Sequence, residues 1–361
     1  MGSKQTPGGL VIPMHATLAG RVRWQVLDER GVPEIPRTPS GVAVGPAEGV
    51  EQPNLITDLG LNRMGAALNV FDTSTGSANG WRRRMAVGTG STAPNVADTT
   101  LDNEVQRDAS SGAFTAGGTT YELDTGDDVW RAVSFVNRVV TMTADRNLTE
   151  FGFAQATSAD ILIRELLRDG GGTPITVSLL NGKTLRVTHT LTVEIAAPAA
   201  GTPATINVEE YDAGNNLVAS TPYDVVYGLT AGTGGAQGTR TFQIWNPRES
   251  IPTQASFGAA FAFTSPFAYQ RIVDVNGANA SSVATAAPQA YVNDSFEAIK
   301  RSAFGTGQAN AALHTLGMGS FFGGSGSQTA SLLIEFDDPA TYTKANTDTL
   351  RVGIVSTWAR A

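Results

Sequence analysis

The stretch Thr184 to Ile195 reads TLRVTHTLTVEI, and its side chains alternate strictly between two faces. One face carries Leu185, Val187, His189, Leu191, Val193 and Ile195. The opposite face carries Arg186, Thr188, Thr190, Thr192 and Glu194. A period of two, with β-branched residues on both faces, is typical of a half-buried β-strand. The stretch therefore predicts a long strand with one face in the core of a β-rich domain.

The chain ends on a second version of this stretch, TLRVGIVSTWAR, which begins at Thr349, 165 positions after Thr184. The same offset places Leu148 on Leu313 and Gly152 on Gly317. Two separate matches at one spacing predict that the chain consists of two tandem copies of one β-rich unit.

The predicted fold is all-β, with two tandem β-sandwich or jelly-roll-like domains and only short helices. The expected division is a flexible N-terminal arm (1–14), a first domain (15–195), a linker (196–204, AAPAAGTPA) and a second domain (205–361). Helical spacings within 54–68 predict one short helix, and a helical turn is expected to open at Asp98 or Thr99. The stretches 159–168 and 331–339 are predicted to be strands.

Composition excludes several classes of function. The formal net charge of -8 argues against a nucleic-acid groove, which needs a basic face. The absence of cysteine excludes disulfides, thiolate zinc sites and thiol catalysis. No apolar run approaches the roughly 20 residues of a membrane span, so no membrane insertion is expected. Gly2 and Thr6 fit the loose myristoylation pattern, but a flexible arm is the preferred interpretation.

Two motifs resemble a stretch common in structural proteins of tailed bacteriophages, such as tail-fibre, baseplate-attached and neck proteins. The matching positions are Asn54 to Thr57, Gly60, Leu61, Val87 to Thr92, Pro94, Asp98, Thr99 and Leu101. The stretch NLTEFGFAQATS and the ending Trp-Ala-Arg are also similar, and the likeness is good over 15–195. It implies a structural role in the virion, assembled in the bacterial host cytoplasm, without catalytic residues to carry over.

Asp124-Thr125-Gly126 resembles the aspartic-protease loop, and Asp72 would be its partner carboxylate. A turn between strands is the favoured alternative, because Asp and Gly suit turns. Asp124, Asp127 and Asp128 do not follow the spacing of a calcium loop.

The remaining candidate sites also have structural interpretations. Gly88-Thr89-Gly90 and Gly232-Thr233-Gly234 lack the lysine of a phosphate loop and are predicted to be turns. His15, His189 and His314 are far apart in sequence, and His189 is predicted to be a core or interface residue. Arg82 to Arg84 would bind a phosphate or an acidic partner, or else form a solvated loop or salt bridges between subunits. No catalytic, cofactor or metal residue is assigned.

The sequence thus favours a virion structural protein that forms a symmetric oligomer, a trimer, and contacts other tail or neck proteins. Three duplicated chains would present six similar modules to a six-fold tail. The alternative is a receptor- or carbohydrate-binding module of a tail fibre, with a host surface receptor as partner. This alternative predicts aromatic side chains on loops, whereas the tryptophans (Trp24, Trp81, Trp130, Trp245, Trp358) mostly fall in strand-like runs. A remote alternative is a homodimeric aspartic protease that uses Asp124.

Overall fold

The structure is a computed structural model, and it confirms the all-β fold: the part of the chain that it describes is mostly strand, with one short helix. It describes residues 10–65, 82–108, 114–124, 129–155, 160–196, 203–212, 216–229, 259–263, 282–288, 291–305, 307–309, 312–313, 315–321, 328–336, 342–343 and 349–361.

The first half of the chain contains thirteen described strands and one helix. They are β1 (Leu10–Leu27), β2 (Pro33–Glu34), β3 (Val50–Pro53), β4 (Leu55–Ile56), α1 (Asp58–Gly65), β5 (Arg84–Gly88), β6 (Glu104–Arg107), β7 (Phe114–Asp124), β8 (Val129–Thr141), β9 (Arg146–Leu148), β10 (Glu150–Ala154), β11 (Ile163–Leu166), β12 (Val177–Leu179) and β13 (Thr184–Ala196). The short helix and the strand within 159–168 are therefore confirmed.

The second half contains ten described strands. They are β14 (Pro203–Tyr211), β15 (Leu217–Leu229), β16 (Ala259–Phe263), β17 (Ser282–Pro288), β18 (Glu297–Phe304), β19 (Ala312–Leu313), β20 (Thr315–Phe321), β21 (Gln328–Phe336), β22 (Tyr342–Thr343) and β23 (Thr349–Arg360). The strand predicted within 331–339 is confirmed as part of β21.

The predicted alternation of β13 is confirmed. Leu185, Val187, His189, Leu191 and Val193 are all fully buried, while the residues between them are partly exposed. β13 lies between β1 and β8, and β7 pairs with the other side of β8. The apolar face of β13 therefore looks towards the second sheet of the first half, ordered β4-β11-β10-β5-β6. A contact between the rings of Phe153 in β10 and His189, 5.3 Å between centroids, joins the two sheets.

The second half repeats this strand order. The order β1-β13-β8-β7 corresponds to β14-β23-β18-β17, and the order β4-β11-β10-β5 corresponds to β15-β21-β20-β16. A small two-stranded ribbon also recurs: Val177 pairs with Leu148, and Tyr342 pairs with Leu313, 165 positions later in both strands. The correspondence therefore extends from sequence to hydrogen-bond register.

The first hairpin of each half also turns in the same way. In the β1–β2 hairpin, Asp28 N–H donates to the Val32 carbonyl (2.9 Å), and Val32 N–H donates to the Asp28 carboxylate (2.8 Å). In the β14–β15 hairpin, Asp212 and Asn216 make the same two bonds at 2.9 and 2.8 Å. Asp suits this position because its side chain caps a nearby backbone amide.

The two halves share one sheet of fourteen strands, because β1 pairs in parallel with β23. The expectation of a flexible arm over 1–14 is therefore wrong for residues 10–14, which belong to β1 from the pair Leu10 and Val352 onwards. Their partner lies at the far end of the sequence, so no local pattern reveals the pairing. The predicted linker begins on the last residue of β13 and ends in β14, and its middle lies outside the described residues. The boundaries of two separate domains stay a prediction.

Candidate functional site

The second of the two motifs that resemble phage structural proteins, Val87 to Leu101, lies mostly in a surface loop between β5 and β6. This loop is here called the anchored loop (residues 89–103). Most of its side chains are exposed, but Gly90 and Leu101 are buried. The helical turn expected near Asp98 is absent from it. Two backbone bonds fix the loop from outside: Asp58 N–H donates to the Val96 carbonyl (2.7 Å), and Ile161 N–H donates to the Thr99 carbonyl (2.8 Å).

A fully buried carboxylate, Glu150 at the start of β10, holds the inner side of the loop. One of its oxygens accepts the backbone N–H groups of Gly90 (3.1 Å) and Asn103 (2.8 Å). The other oxygen accepts the N–H of Asp102 (3.2 Å). Glu150 thus ties both ends of an exposed segment to the core.

Arg164 in β11, only 3% exposed, completes this network. Its guanidinium donates to Glu150 (3.0 and 2.9 Å), to the carboxylate of Asp98 (2.6 Å) and to the Thr92 carbonyl (3.0 Å). Burial acts to lower the pKa of Arg164, but its hydrogen bonds to Asp98 and Glu150 outweigh burial and raise the pKa. The arginine is therefore a permanent cation with partners on three sides.

The glycines of the Gly-Thr-Gly motif, which runs from the end of β5 into the anchored loop, make room for this carboxylate. A Cβ on Gly88 would lie 2.5 Å from Glu150 Oε1 and 2.7 Å from the Asn103 carbonyl. A Cβ on Gly90 would lie 2.5 Å from the same Glu150 oxygen. The Gly90 amide therefore binds a carboxylate of its own chain, and the two glycines leave the space that this carboxylate needs.

The second half keeps the strand pairing but not the ions. Gly152 pairs with Arg164, and its counterpart Gly317 pairs with Leu333. Thr315 stands at the position that corresponds to Glu150. The sheet therefore forms without the ion pair, so the ion pair serves the loop. Sequence reasoning missed it, although a charge inside each of the apolar runs TEFGF and LIREL is the signal that would have indicated it.

The first of the two motifs, Asn54 to Leu61, contacts the C-terminal strand β23. The contact between α1 and the end of β23 is here called the clasp. Trp358 is 2% exposed, and its indole N–H donates to the Leu61 carbonyl at 3.0 Å. Arg360 forms an ion pair with Asp58 and donates to the Ile56 carbonyl. The Asn-Leu-Ile-Thr motif and the Trp-Ala-Arg ending, distant in sequence, thus meet in space.

A turn before β18 extends the clasp. The Tyr291 ring stacks on Trp358 at 5.8 Å with 21° between planes, and its hydroxyl donates to Asn62 Oδ1 at 2.7 Å. Asn62 also donates to the Asp294 carboxylate (2.7 Å) and accepts its N–H (2.8 Å). Asp294 has φ +62°, which a side chain tolerates only where its surroundings hold it.

His189 lies in a buried polar cluster between the two sheets of the first half. The Arg82 guanidinium donates to His189 Nδ1 (3.1 Å), to the Ser134 hydroxyl (2.6 Å) and to the Ser134 carbonyl (3.1 Å). Because arginine only donates, Nδ1 accepts and the imidazole proton lies on Nε2. Burial, and then the charge of Arg82, hold the pKa of His189 well below its usual value. The predicted core position is confirmed, and the ring is neutral.

For Arg82 to Arg84, a solvated loop or salt bridges between subunits was expected, and the solvated loop is wrong for Arg82 and Arg84. Arg82 is 1% and Arg84 9% exposed, and Arg84 lies 3.7 Å from the buried carboxylate of Asp108. Burial raises the pKa of Asp108 and lowers that of the neighbouring Arg138 to about 10. Arg82, Arg84 and Arg138 are thus internal, where strand packing places them.

The other candidate residues do not converge on one site. Asp124 ends β7, paired with Val129, while the Thr-Gly that follows it and Asp72 lie outside the described residues. Asp127, Asp128, the second Gly-Thr-Gly turn and His314 also lie outside them. His15 is exposed and contacts the Thr357 hydroxyl at 2.9 Å. Of the tryptophans, Trp24 and Trp358 are buried, Trp130 lies in β8, and the other two are outside the described residues.

A groove of about 630 Å³ lies at a gap along the edge of β1. Its walls are Leu18 to Arg21, Glu51 to Ile56 and the last two residues, and no aromatic side chain lines it. At its floor, the carboxamide of Asn54 is buried without a hydrogen-bond partner among the described residues.

Comparison with protein-family models, with curated proteins and with solved structures found no match. Within the described ranges, no group of three or more histidine, aspartate or glutamate side chains is placed to hold a metal ion. In the same ranges, no helix is long and apolar enough to cross a membrane.

Proposed function

We propose that this chain is a structural protein of a bacteriophage virion, a symmetric homo-oligomer in the tail, at a fibre, baseplate or neck. It connects or presents other tail parts and carries out no catalysis. It assembles in the bacterial host cytoplasm, with itself and other tail or neck proteins as partners.

One observation carries the proposal: the conspicuous residues of both resemblance motifs are engaged in contacts within the chain. In the anchored loop, the backbone N–H groups of Gly90 and Asn103 donate to the Glu150 carboxylate. The Asn-Leu-Ile-Thr motif and its helix hold the C-terminal strand through Trp358. Residues that fix the shape of a surface loop and hold a strand distant in sequence suit a component whose task is to present surfaces to neighbours.

The two alternatives have less support. The groove at β1 has no aromatic wall on which a sugar ring would stack. Asp124 ends one strand of a hairpin, in the place where a turn residue is expected. A virion scaffold therefore accounts for more of the motif residues than either a carbohydrate module or a protease.

Immunoelectron microscopy tests the proposal. Antibodies raised against the purified chain are applied to tailed particles released from the bacterium that carries this sequence. Gold label at a fixed position on the tail is expected. Antigen present only in the particle-free fraction of the same lysate, detected by immunoblot, would contradict the proposal.

A further inference from the structure

The outward side of β1, β13 and β8 forms a surface here called the sheet face, defined by Arg21, Arg23, Thr188, Thr190 and Phe135. Register places Arg21, Thr190 and Phe135 in one row and Arg23 and Thr188 in the next. Phe135 is 40% exposed, although it lies in the middle of a strand. An exposed aromatic beside arginines is the composition enriched at the centres of protein interfaces.

The sheet face carries excess positive charge. The Arg21 and Arg23 side chains are 74% and 55% exposed, and they share a single carboxylate, Glu51, at 3.5 and 3.6 Å. Arg21 and Arg23 together therefore carry one positive charge more than their shared carboxylate balances.

The anchored loop and the first residue of β6 form a second surface, here called the loop face, defined by Val96, Thr99, Asp102 and Glu104. Val96 is an exposed aliphatic side chain, and all four residues are exposed. Hydrogen bonds from the Thr92 hydroxyl and amide lower the pKa of Asp102, so its carboxylate is negative at neutral pH. Glu104 binds Arg107, whose side chain is itself only 10% exposed. The loop face thus combines one exposed aliphatic side chain with two exposed carboxylates, of which that of Glu104 is paired with Arg107.

The two surfaces belong to different sheets of the first half. The sheet face is the outer side of the sheet containing β13, while the loop face extends from the sheet containing β5. The network of Glu150 and Arg164 holds the loop face in one shape before any partner arrives, so little ordering entropy is lost on binding.

We propose that the loop face of one copy docks on the sheet face of a second copy of this chain. Val96 contacts Phe135, and the carboxylates of Asp102 and Glu104 approach the two arginines. This inference deepens the proposed function and rests on it. Because two different surfaces meet, the contact is head to tail, and repetition around an axis closes a ring such as the expected trimer.

Charge complementarity favours a second copy as the occupant. The chain is acidic overall, with a formal net charge of -8. The locally positive charge of Arg21 and Arg23, which share one carboxylate, is therefore an exception on its surface. The carboxylates of the loop face and the arginines of the sheet face are opposite in sign, and each surface carries one exposed apolar side chain.

A charge-swap experiment with sedimentation velocity over a range of concentrations tests the contact. The loop variant is Thr99→Lys with Glu104→Lys, and the sheet variant is Arg21→Glu with Arg23→Glu. Each places like charges together, so the dissociation constant is expected to rise at least about tenfold. A variant with all four substitutions restores opposite charges and is expected to regain wild-type association.

The control variant, Arg30→Glu with Arg146→Glu, changes net charge as much as the sheet variant at exposed arginines outside the sheet face, and is expected to associate as wild type does. Circular dichroism checks that each variant folds. A wild-type monomer at every concentration would overturn the oligomer of the proposed function and this contact with it. A wild-type oligomer that the sheet variant leaves intact would overturn only the contact. Failure of the four-residue variant to reassociate would likewise overturn it.

Discussion

Replacing Glu150 by glutamine removes one buried charge and keeps the shape of the side chain. Glu150 accepts three backbone N–H groups and the Arg164 guanidinium, divided between its two oxygens. Either orientation of the new amide would turn its NH₂ group towards groups that also donate. Arg164 would keep Asp98 and the Thr92 carbonyl but lose its most buried partner.

The expected loss in the free energy of unfolding is about 3–5 kcal/mol, the cost of removing one member of a buried ion pair. That is a large part of the roughly 5–15 kcal/mol that stabilises an ordinary domain. Urea unfolding followed by tryptophan fluorescence measures it, and Trp24 is a fully buried reporter in the same half. Hydrogen exchange should show lost protection at the amides of Gly90, Asp102 and Asn103.

The matched control is Glu194→Gln, which breaks the exposed pair of Glu194 with Arg131. It should cost less than about 1 kcal/mol. A loss below about 1 kcal/mol for Glu150→Gln, with unchanged exchange at the loop amides, would refute the assignment of Glu150 as the anchor.

Three further outcomes are expected. Gly88→Ala should lower the free energy of unfolding by about 1–3 kcal/mol, because its Cβ would lie 2.7 Å from a backbone carbonyl. The control Gly170→Ala, whose Cβ would have no atom within 4 Å, should change it by less than about 0.5 kcal/mol. Thermal denaturation compares the two variants, and equal effects would contradict the steric overlap at Gly88. Trp358→Phe should lower the free energy of unfolding, measured in urea, by about 1 kcal/mol. The reason is that the indole N–H bond to the Leu61 carbonyl is removed while an aromatic ring still stacks on Tyr291. An unchanged free energy would mean that this hydrogen bond is not formed. His189 is neutral when folded, so its own contribution to stability should be constant above about pH 7. That contribution should fall by up to about 1.4 kcal/mol per pH unit below about pH 6.5, where the unfolded imidazole takes up a proton and the folded one beside Arg82 does not. Comparison with His189→Gln at about pH 7 and about pH 5 measures this difference, and an identical pH slope in both proteins would count against it.

Period and repetition in the sequence predicted the all-β class and the central strand. The alternation in β13 indicates which side chains face the core, and the burial of Leu185, Leu191 and Val193 follows the predicted face. Leu350 is buried like Leu185, in a strand with corresponding neighbours. The turns at Asp28 and Asp212 correspond because an aspartate caps its own turn where the chain reverses in this way.

What the sequence did not predict has identifiable physical causes. The pairing of Leu10 with Val352 joins the two ends of the chain, and no local pattern encodes a parallel partner that far away. The run Arg82 to Arg84 predicted a solvated segment because arginines are usually exposed, yet Arg82 is buried where Ser134 and His189 accept its bonds.

The anchored loop shows the same limit. The Gly-Thr-Gly motif predicted a turn, whereas the structure has the end of β5 and the start of a loop, and the carboxylate that the glycines accommodate lies about 60 residues further along the chain, in β10. Only the fold brings Glu150 beneath Gly90, and only the comparison of the two halves shows that the ion pair with Arg164 is not needed for the sheet itself.

The central claim is that copies of this chain complete one another's surfaces in a symmetric assembly. Multi-angle light scattering of the purified protein at neutral pH tests it most directly, because it gives the mass in solution without reference to shape. The expected mass is that of a trimer, about 113 kDa from a chain of 37.6 kDa. A single species at 37.6 kDa that persists at the highest attainable concentration would contradict the claim.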